Sequence, residues 1–498
     1  MTNSKLGSLA KQTAIYGLSS IIGRFLNYLL VPIHTHRMAA ESGGYGIVTN
    51  LYAYTALLLV ILTFGMETTF FRFSNKENVN PDKAFSTAGL SVGFVSLVFL
   101  LLVSLFLKPI AGALDYALHP EFVEIMAIIV AFDAFQSILF ARLRYENRPI
   151  KFMTLKLSFI VLSLLLNLFI FYLAPFLKEH YPSMMGWYQT SYQVGYIFIA
   201  NLICTTLVNF GFINEIKKLR YGIDRNLLKQ MLKYTWPILL LGLAGILNQV
   251  ADKIVFKKIV PGLEGEEQLG IYGACVKIAM IMAMITQAFR YAYEPFVFGG
   301  KRDTEDKATQ ASVMKYFIIF TLLAFLAVVM YMPLLQYLVG EGYREGLRVI
   351  PIVMMAEIFM GIYFNLSFWY KLTDQTWWGA VFSGIGCAVL LAINFIFVPK
   401  YSYMACAWGG FAGYATCMVL SYFVGQKKAP IPYDLKSAFL YFAVAIALFF
   451  VQKYIHIENT VLTLVVNTGL LMVFFAFICW REKDLLQGVL AWVKNRGK

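Results

Sequence analysis

The sequence predicts an all-α integral membrane protein of about fourteen transmembrane helices, in two pseudo-symmetric six-helix lobes followed by two C-terminal helices. Three observations predict it. The 498-residue chain is 59% hydrophobic and only 14% charged, where a soluble domain carries about 25% charged residues. Its mean hydropathy is +0.66, so lipid must be the solvent for most of its surface. Finally, apolar stretches long enough to cross a bilayer recur along the whole chain, joined by loops of at most about 20 residues.

A spanning helix needs about 20 mostly apolar residues. That window gives spans at 9–33, 45–71, 84–107, 121–143, 152–177, 184–213 and 231–260, then 269–298, 314–338, 347–370, 376–398, 403–424, 434–454 and 461–480. The first is too long for a signal-peptide apolar region, contains Arg24 and lacks a small-residue cleavage site, so it reads as a retained helix. Residues 1–213 form an expected N-lobe of helices one to six. Residues 214–230 form a basic cytoplasmic linker, 231–425 a C-lobe of helices seven to twelve, and 426–498 the last two helices and a tail.

Orientation follows from the basic residues. Arg142, Arg144, Arg148 and Lys151 share one loop; Lys217, Lys218, Arg220, Arg225, Lys229 and Lys233 share another. Arg481, Lys483, Lys494, Arg496 and Lys498 occupy the tail. A cytoplasmic N-terminus puts all three groups inside, with an inner excess of roughly three to one. Both termini are then expected in the cytoplasm. The net charge of +14 has this origin, and no nucleic-acid partner is expected.

The six cysteines (Cys204, Cys275, Cys387, Cys406, Cys417, Cys479) lie in apolar segments without CxxC spacing, so neither a disulfide framework nor a zinc site is expected. His34, His36, His119, His180 and His456 fall in outer loops or at outer helix ends. His34 and His36 are two apart and do not share a helix face, so no metal site is expected there. No phosphate loop or HExxH motif is found. Gly299-Gly300-Lys301 lacks the upstream glycine and following hydroxyl of a phosphate loop, and none of the five histidines begins an HExxH.

An internal repeat organises the chain. Tyr45-Gly46 precedes Glu67 by the same interval as Tyr272-Gly273 precedes Glu294. In that register Asn50 matches Lys277 and Phe64 matches Tyr291; upstream, Gly17-Leu18 matches Gly242-Leu243, Arg24 matches Gln249 and Asn27 matches Asp252. Asp133 and Glu357 come within about a residue of the same frame. Helices one and two thus correspond to seven and eight in parallel orientation.

Ionisable groups within the hydrocarbon cost about 2.5–3.5 kcal/mol each on insertion scales, so they face a cavity or a partner. Gln12, Tyr16, Ser20, Arg24 and Asn27 form one stripe on helix one. No acid shares the stripe, and a guanidinium suits phosphate or carboxylate oxygens; the alternative is a contact with a neighbouring helix. Asn248, Gln249 and Asp252 mark helix seven; Lys277, Gln287, Arg290 and Glu294 mark helix eight. Asp252 with Lys277, and Arg290 with Glu294, are candidate structural pairs. Asp133 and Glu357 are lone acids near mid-helix, suited to coupling with a proton or sodium gradient or to an interhelical hydrogen bond. Glu67 and Glu294, related by the repeat, join Asp252 as coupling or gating candidates. Lys156 and Lys315 are expected to snorkel. Gly409 and Gly413 predict a close helix contact, as do Gly242 and Gly245, while Pro32, Pro237 and Pro351 are candidate bends.

The local words resemble a known family. Phe64-Gly65-Met66-Glu67 followed by Phe71-Arg72 is similar to the end of helix two in bacterial polysaccharide-repeat (O-antigen type, lipopolysaccharide) flippases. Leu269-Gly270-Ile271-Tyr272-Gly273 resembles the start of their helix eight, and Asn248 with Asp252 their helix-seven motif. These proteins belong to the multidrug/oligosaccharidyl-lipid/polysaccharide (MOP) superfamily. The resemblance implies a non-enzymatic flippase of the bacterial inner membrane. Its cargo would be an undecaprenyl-pyrophosphate-linked oligosaccharide, moved from the cytoplasmic to the periplasmic leaflet, with glycan polymerases as partners. Arg24, with Lys277 or Arg290, would then hold the pyrophosphate beside Asn27 and Gln249. Lipid II flippases carry several arginines in their first two helices, where this chain has Arg24 in helix one and Arg72 at the inner edge of helix two. Multidrug exporters share the lobes and usually stop at twelve helices. Both remain alternative readings.

Overall fold

The computed structural model describes residues 28–299, 304–373, 375–455 and 457–483. Among these residues it is helical without strands. Twelve helices are long and apolar enough to cross a membrane, or thirteen if one bent pair is a single span. Of the first predicted span, 9–33, only the end is described, in α1 (Leu30–Arg37). The chain continues through α2 (Gly44–Thr63), α3 (Met66–Ser74), α4 (Pro81–Leu105), α5 (Pro120–Tyr145) and α6 (Pro149–Leu168). Then come α7 (Gln193–Phe210), α8 (Arg225–Ile259), α9 (Gly262–Ala279), α10 (Ile281–Gly299) and α11 (Thr304–Met330). The last are α12 (Ile350–Leu366), α13 (Trp377–Tyr401), α14 (Tyr403–Lys428), α15 (Leu435–Tyr454) and α16 (Thr460–Arg481).

Local sequence sets the ends. Proline opens α4, α5 and α6 at the first turn, where a missing N–H is harmless. Asp224 caps α8 by accepting from Asn226 N and Leu227 N, both at 3.0 Å, and Asn459 caps α16 the same way. Pro351 likewise starts α12 instead of bending it.

The second span breaks where two consecutive residues turn left-handed, Phe64 at φ 33° and Gly65 at φ 74°. Thr235 of α8 occupies the break, donating to the Phe64 carbonyl at 2.8 Å and sharing a 2.8 Å bond with Thr69. That bond satisfies a carbonyl the helix has released. The eighth span bends by 41° between α9 and α10, at Met280, the residue that separates the two helices. The repeat-related helices therefore break at different depths, an asymmetry their aligned residues do not reveal.

Hydrophobic cores divide by chain half. The first half packs as one cluster around Phe122, Tyr188 and Phe198 and another, on the basic side, around Phe70, Ile138 and Phe212. The second half forms a long cluster through α9, α11, α12 and α14, which also takes in Val31, Ala40 and Tyr45, and two small ones around Phe368 and Phe382. The last two helices dock on α11: Asn467 donates to the Met330 carbonyl at 2.7 Å, and Lys315 pairs with Glu482 at 2.8 Å. Lys315 is thus bound, not snorkelling. Gly409 and Gly413 do bring helices together, since a Cβ on Gly413 would lie 2.9 Å from the Gly386 carbonyl. Gly242 meets Val60 closely, whereas a Cβ on Gly245 would meet nothing within 4 Å, so Gly245 is not a contact glycine. His34 is buried and bonds Asn167 at 2.7 Å across to α6; it is a core residue, not an open interface one. His456 lies outside the described residues.

The basic side of the first half is tied by ions. Arg142 bonds Asp82 and Glu146, Lys218 bonds Glu146 at 2.5 Å, and Lys151 bonds the fully buried Glu215 at 2.6 Å. Burial opposes ionisation of Glu146, just beyond α5, but bonds from Lys218 and Arg142 outweigh it and hold the pKa below the ordinary 4.5. This stabilisation is complete above the unfolded value and fades as pH falls through the lower folded one. Glu146→Gln is expected to reduce the melting temperature at pH 7, with the gap to the parent closing below about pH 4. A gap independent of pH would rule out the ionic origin.

Candidate functional site: a cationic seam between the halves

Among the described residues two long interfaces join the halves, beside shorter contacts such as Gly340 N donating to Thr35 Oγ1 at 2.9 Å. Along α2 and α3, α8 runs antiparallel, from Asn50 beside Lys253, through Val60 beside Gly242, to Thr69 beside Thr235. Against α2 on its other side, α9 runs parallel, and glycines set the approach. A Cβ on Gly46 would lie 1.8 Å from the Glu266 carbonyl, one on Gly270 3.0 Å from Gly46 N, and one on Gly273 2.3 Å from Thr49 Oγ1. The repeated Tyr-Gly words are this crossing. Gly46→Ala should lever the outer ends apart and cost about 1–3 kcal/mol, seen as a lower melting temperature; an unchanged value would mean the crossing is not tight.

Just beyond the crossing sits a polar knot. Lys257, only 2% exposed, donates to Glu266 Oε1 at 2.7 Å, and its ammonium lies 3.5 Å from the centre of the Tyr116 ring. The Tyr116 hydroxyl donates to Asn50 Oδ1 at 2.9 Å, and Asn50 Nδ2 donates to the Lys253 carbonyl at 2.8 Å. Four chain segments meet here, at the end of the crossing away from the basic side.

One turn deeper, buried Asp252 accepts from Lys253 at 3.0 Å on both oxygens and from the Tyr272 hydroxyl at 2.7 Å. One further turn inward, Gln249 and Lys277 present exposed side chains although Asn248, Val250, Val276 and Ile278 beside them are buried. Gly270, Gly273 and Lys277 follow at i, i+3 and i+7, so Lys277 shares the face that α9 turns toward α2. Its exposure therefore opens between the halves and not to lipid. Among the described residues Lys277 makes no hydrogen bond or ion pair, and Lys253 repels it. Within them, the seam carries an uncompensated positive charge at membrane depth.

The expected Asp252–Lys277 pair does not form, because Lys253 and Tyr272 occupy Asp252. Arg290 is exposed, with its guanidinium 4.0 Å from the Phe364 ring centre; the Glu294 side chain, and with it the Arg290–Glu294 pair, lies outside the described residues. Arg24 and Asn27 lie outside them too. Glu67 bonds Arg144 of α5, a tie inside the first half. Asp133 is half-buried on α5 without a hydrogen bond or ion pair among the described residues; its charged neighbour is Lys156, whose ammonium rests 4.2 Å from the Phe140 ring centre instead of snorkelling. Glu357 lies on α12 and acts electrostatically on Tyr272 and Tyr414. Asp133 stands apart from them, in the other half. Among the described residues no three His, Cys, Asp or Glu converge as a metal site.

Sequence reasoning missed Lys253, Lys257, Glu266 and Tyr116. A signal was available for two of them: Gln249, Lys253 and Lys257 follow at i, i+4 and i+8, the spacing that singled out helix one.

A multi-pass helical membrane protein with two joined halves and a polar seam has the fold of MOP-superfamily transporters. The chain belongs to the polysaccharide biosynthesis protein family, whose model matches residues 9–295. A structure of the lipid II flippase MurJ in an inward closed conformation superposes with TM-score 0.71 at 15% identity, covering 96% of this chain and 100% of that one. An inward-facing multidrug resistance MATE family transporter gives 0.64 at 13%, over 81% and 94%. A complex of the MATE multidrug transporter DinF-BH gives 0.58 at 15%, over 86% and 96%. Among curated proteins none matches in sequence.

Proposed function

We propose that the protein moves an undecaprenyl-pyrophosphate-linked oligosaccharide from the cytoplasmic to the periplasmic leaflet of the bacterial inner membrane, with both termini cytoplasmic. The observation that carries this reading is Lys277, an ammonium exposed inside the seam at membrane depth and unpaired among the described residues. A pyrophosphate would neutralise it, and Arg24, Asn27, Gln249 and Arg290 would complete the anion site. The halves would rock to expose the site alternately. Asp133, Asp252, Glu357, Glu67 and Glu294 are the candidates for gating or for coupling to a proton or sodium gradient. Glycan polymerases would receive the product.

A second reading keeps the fold and changes the cargo to lipid II, the substrate in the name of the MurJ relative. The test is translocation in proteoliposomes, comparing the lipid-linked oligosaccharide with lipid II and with a cationic dye. We expect movement of the oligosaccharide and loss of it on Arg24→Ala with insertion unchanged. Movement of the dye alone would overturn the proposal.

A further inference from the structure

On the back of the first half, away from the seam, a groove of about 540 Å³ runs between the end of α1 and the span of α6. Its floor is apolar: Leu165, Leu168, Tyr172, Leu173 and Phe176. These side chains are exposed, from 39% at Leu168 to 57% at Leu165, on a surface that faces lipid. A π-helical turn at Phe169–Leu173 interrupts the span, and such turns re-aim side chains, often at functional positions. Here the turn buries Ile170 and Phe171 and leaves Tyr172 and Leu173 outward. The His34–Asn167 bond holds α1 against the span next to the turn.

A cation sits beside the groove. Arg37 closes α1, with its guanidinium 4.2 Å from the Tyr172 ring centre. Among the described residues it has no carboxylate partner. A guanidinium over an aromatic face keeps its in-plane donors free for phosphate oxygens. From Tyr172, under the guanidinium, to Leu165 the stripe runs about 10 Å at 1.5 Å per residue, which fits within one leaflet of a hydrocarbon core about 30 Å thick. A much longer isoprenoid chain would overrun it.

We propose that this groove binds an anionic phospholipid of the leaflet on the basic-poor side, one acyl chain along the stripe from Tyr172 to Leu165 and the phosphate on Arg37. It is a lipid site separate from the seam and independent of the cargo. The test is native mass spectrometry of the full chain in detergent, titrated with phosphatidylglycerol or with phosphatidylcholine of identical acyl chains. The parent should retain one phosphatidylglycerol in preference to phosphatidylcholine. Arg37→Gln should weaken that retention about five- to tenfold. Leu168→Trp, which fills the groove and keeps the charge, should lose the same lipid, while Arg148→Gln on the basic side should keep it. Equal retention of the two lipids by the parent, or retention unaffected by Arg37→Gln and Leu168→Trp, would overturn the proposal. So would a polyprenyl phosphate that outcompetes phosphatidylglycerol with the same sensitivity to both variants.

Discussion

Lys277→Met is expected to slow translocation of the lipid-linked oligosaccharide by about ten- to a hundredfold, the range for losing one charged hydrogen bond. The substitution keeps length and apolar stem and removes only the charge. It should leave folding intact, because Lys277 bonds nothing among the described residues and its ammonium is repelled by Lys253. Melting temperature is expected to stay level or rise slightly. Lys277→Arg should retain most of the activity, since a guanidinium also binds phosphate. Translocation by Lys277→Met at the parental rate would remove the ammonium from substrate binding. A large fall in stability would show instead that Lys277 supports the fold.

Glu266→Gln is expected to release the outer knot. Its partner Lys257 is 2% exposed, and a buried charge stripped of its counter-ion costs about 3–5 kcal/mol. The arrangement closed at the outer end loses that stability, and states in which Lys257 reaches water gain population. A cysteine at position 277 reports on this, because a membrane-impermeant thiol reagent reaches it from the outer side only when the knot is open. Labelling from that side should rise at least about tenfold in Glu266→Gln relative to Glu266. Adding Lys257→Met should restore slow labelling, since replacing both ions with uncharged groups is near neutral. If Glu266→Gln labels no faster than the parent, the knot does not hold the outer end.

These two experiments separate what each residue type discloses in advance. Lys277 was conspicuous as a cation in an apolar run, with Asp252 as its candidate partner, because intramembrane charge costs too much to be incidental. Lys257 was not, because a lysine near a helix end has a cheap alternative in snorkelling. Its partners Tyr116 and Glu266 arrive from other chain segments. For Glu67 the repeat drew attention to a gating acid, but its bond to Arg144 within the first half came only from the fold. The Tyr-Gly words were legible as a repeat, yet their physical role, backbone approach at the α2–α9 crossing, needed the partner helix.

By itself the sequence determined the membrane class, the order of the spans and the similarity of the two halves. Each rests on local composition summed over some 20 residues, which the bilayer reads directly. Only the tertiary structure decided the pairing of charges, the depth at which helices break and which polar face opens between the halves. Those depend on which side chain of a distant segment comes within about 3 Å, and hydropathy holds no information about that distance. Asp252 could bond Lys277 or Lys253 as far as spacing can tell; the packing of α8 against α9 gave it to Lys253 and Tyr272 and left Lys277 open.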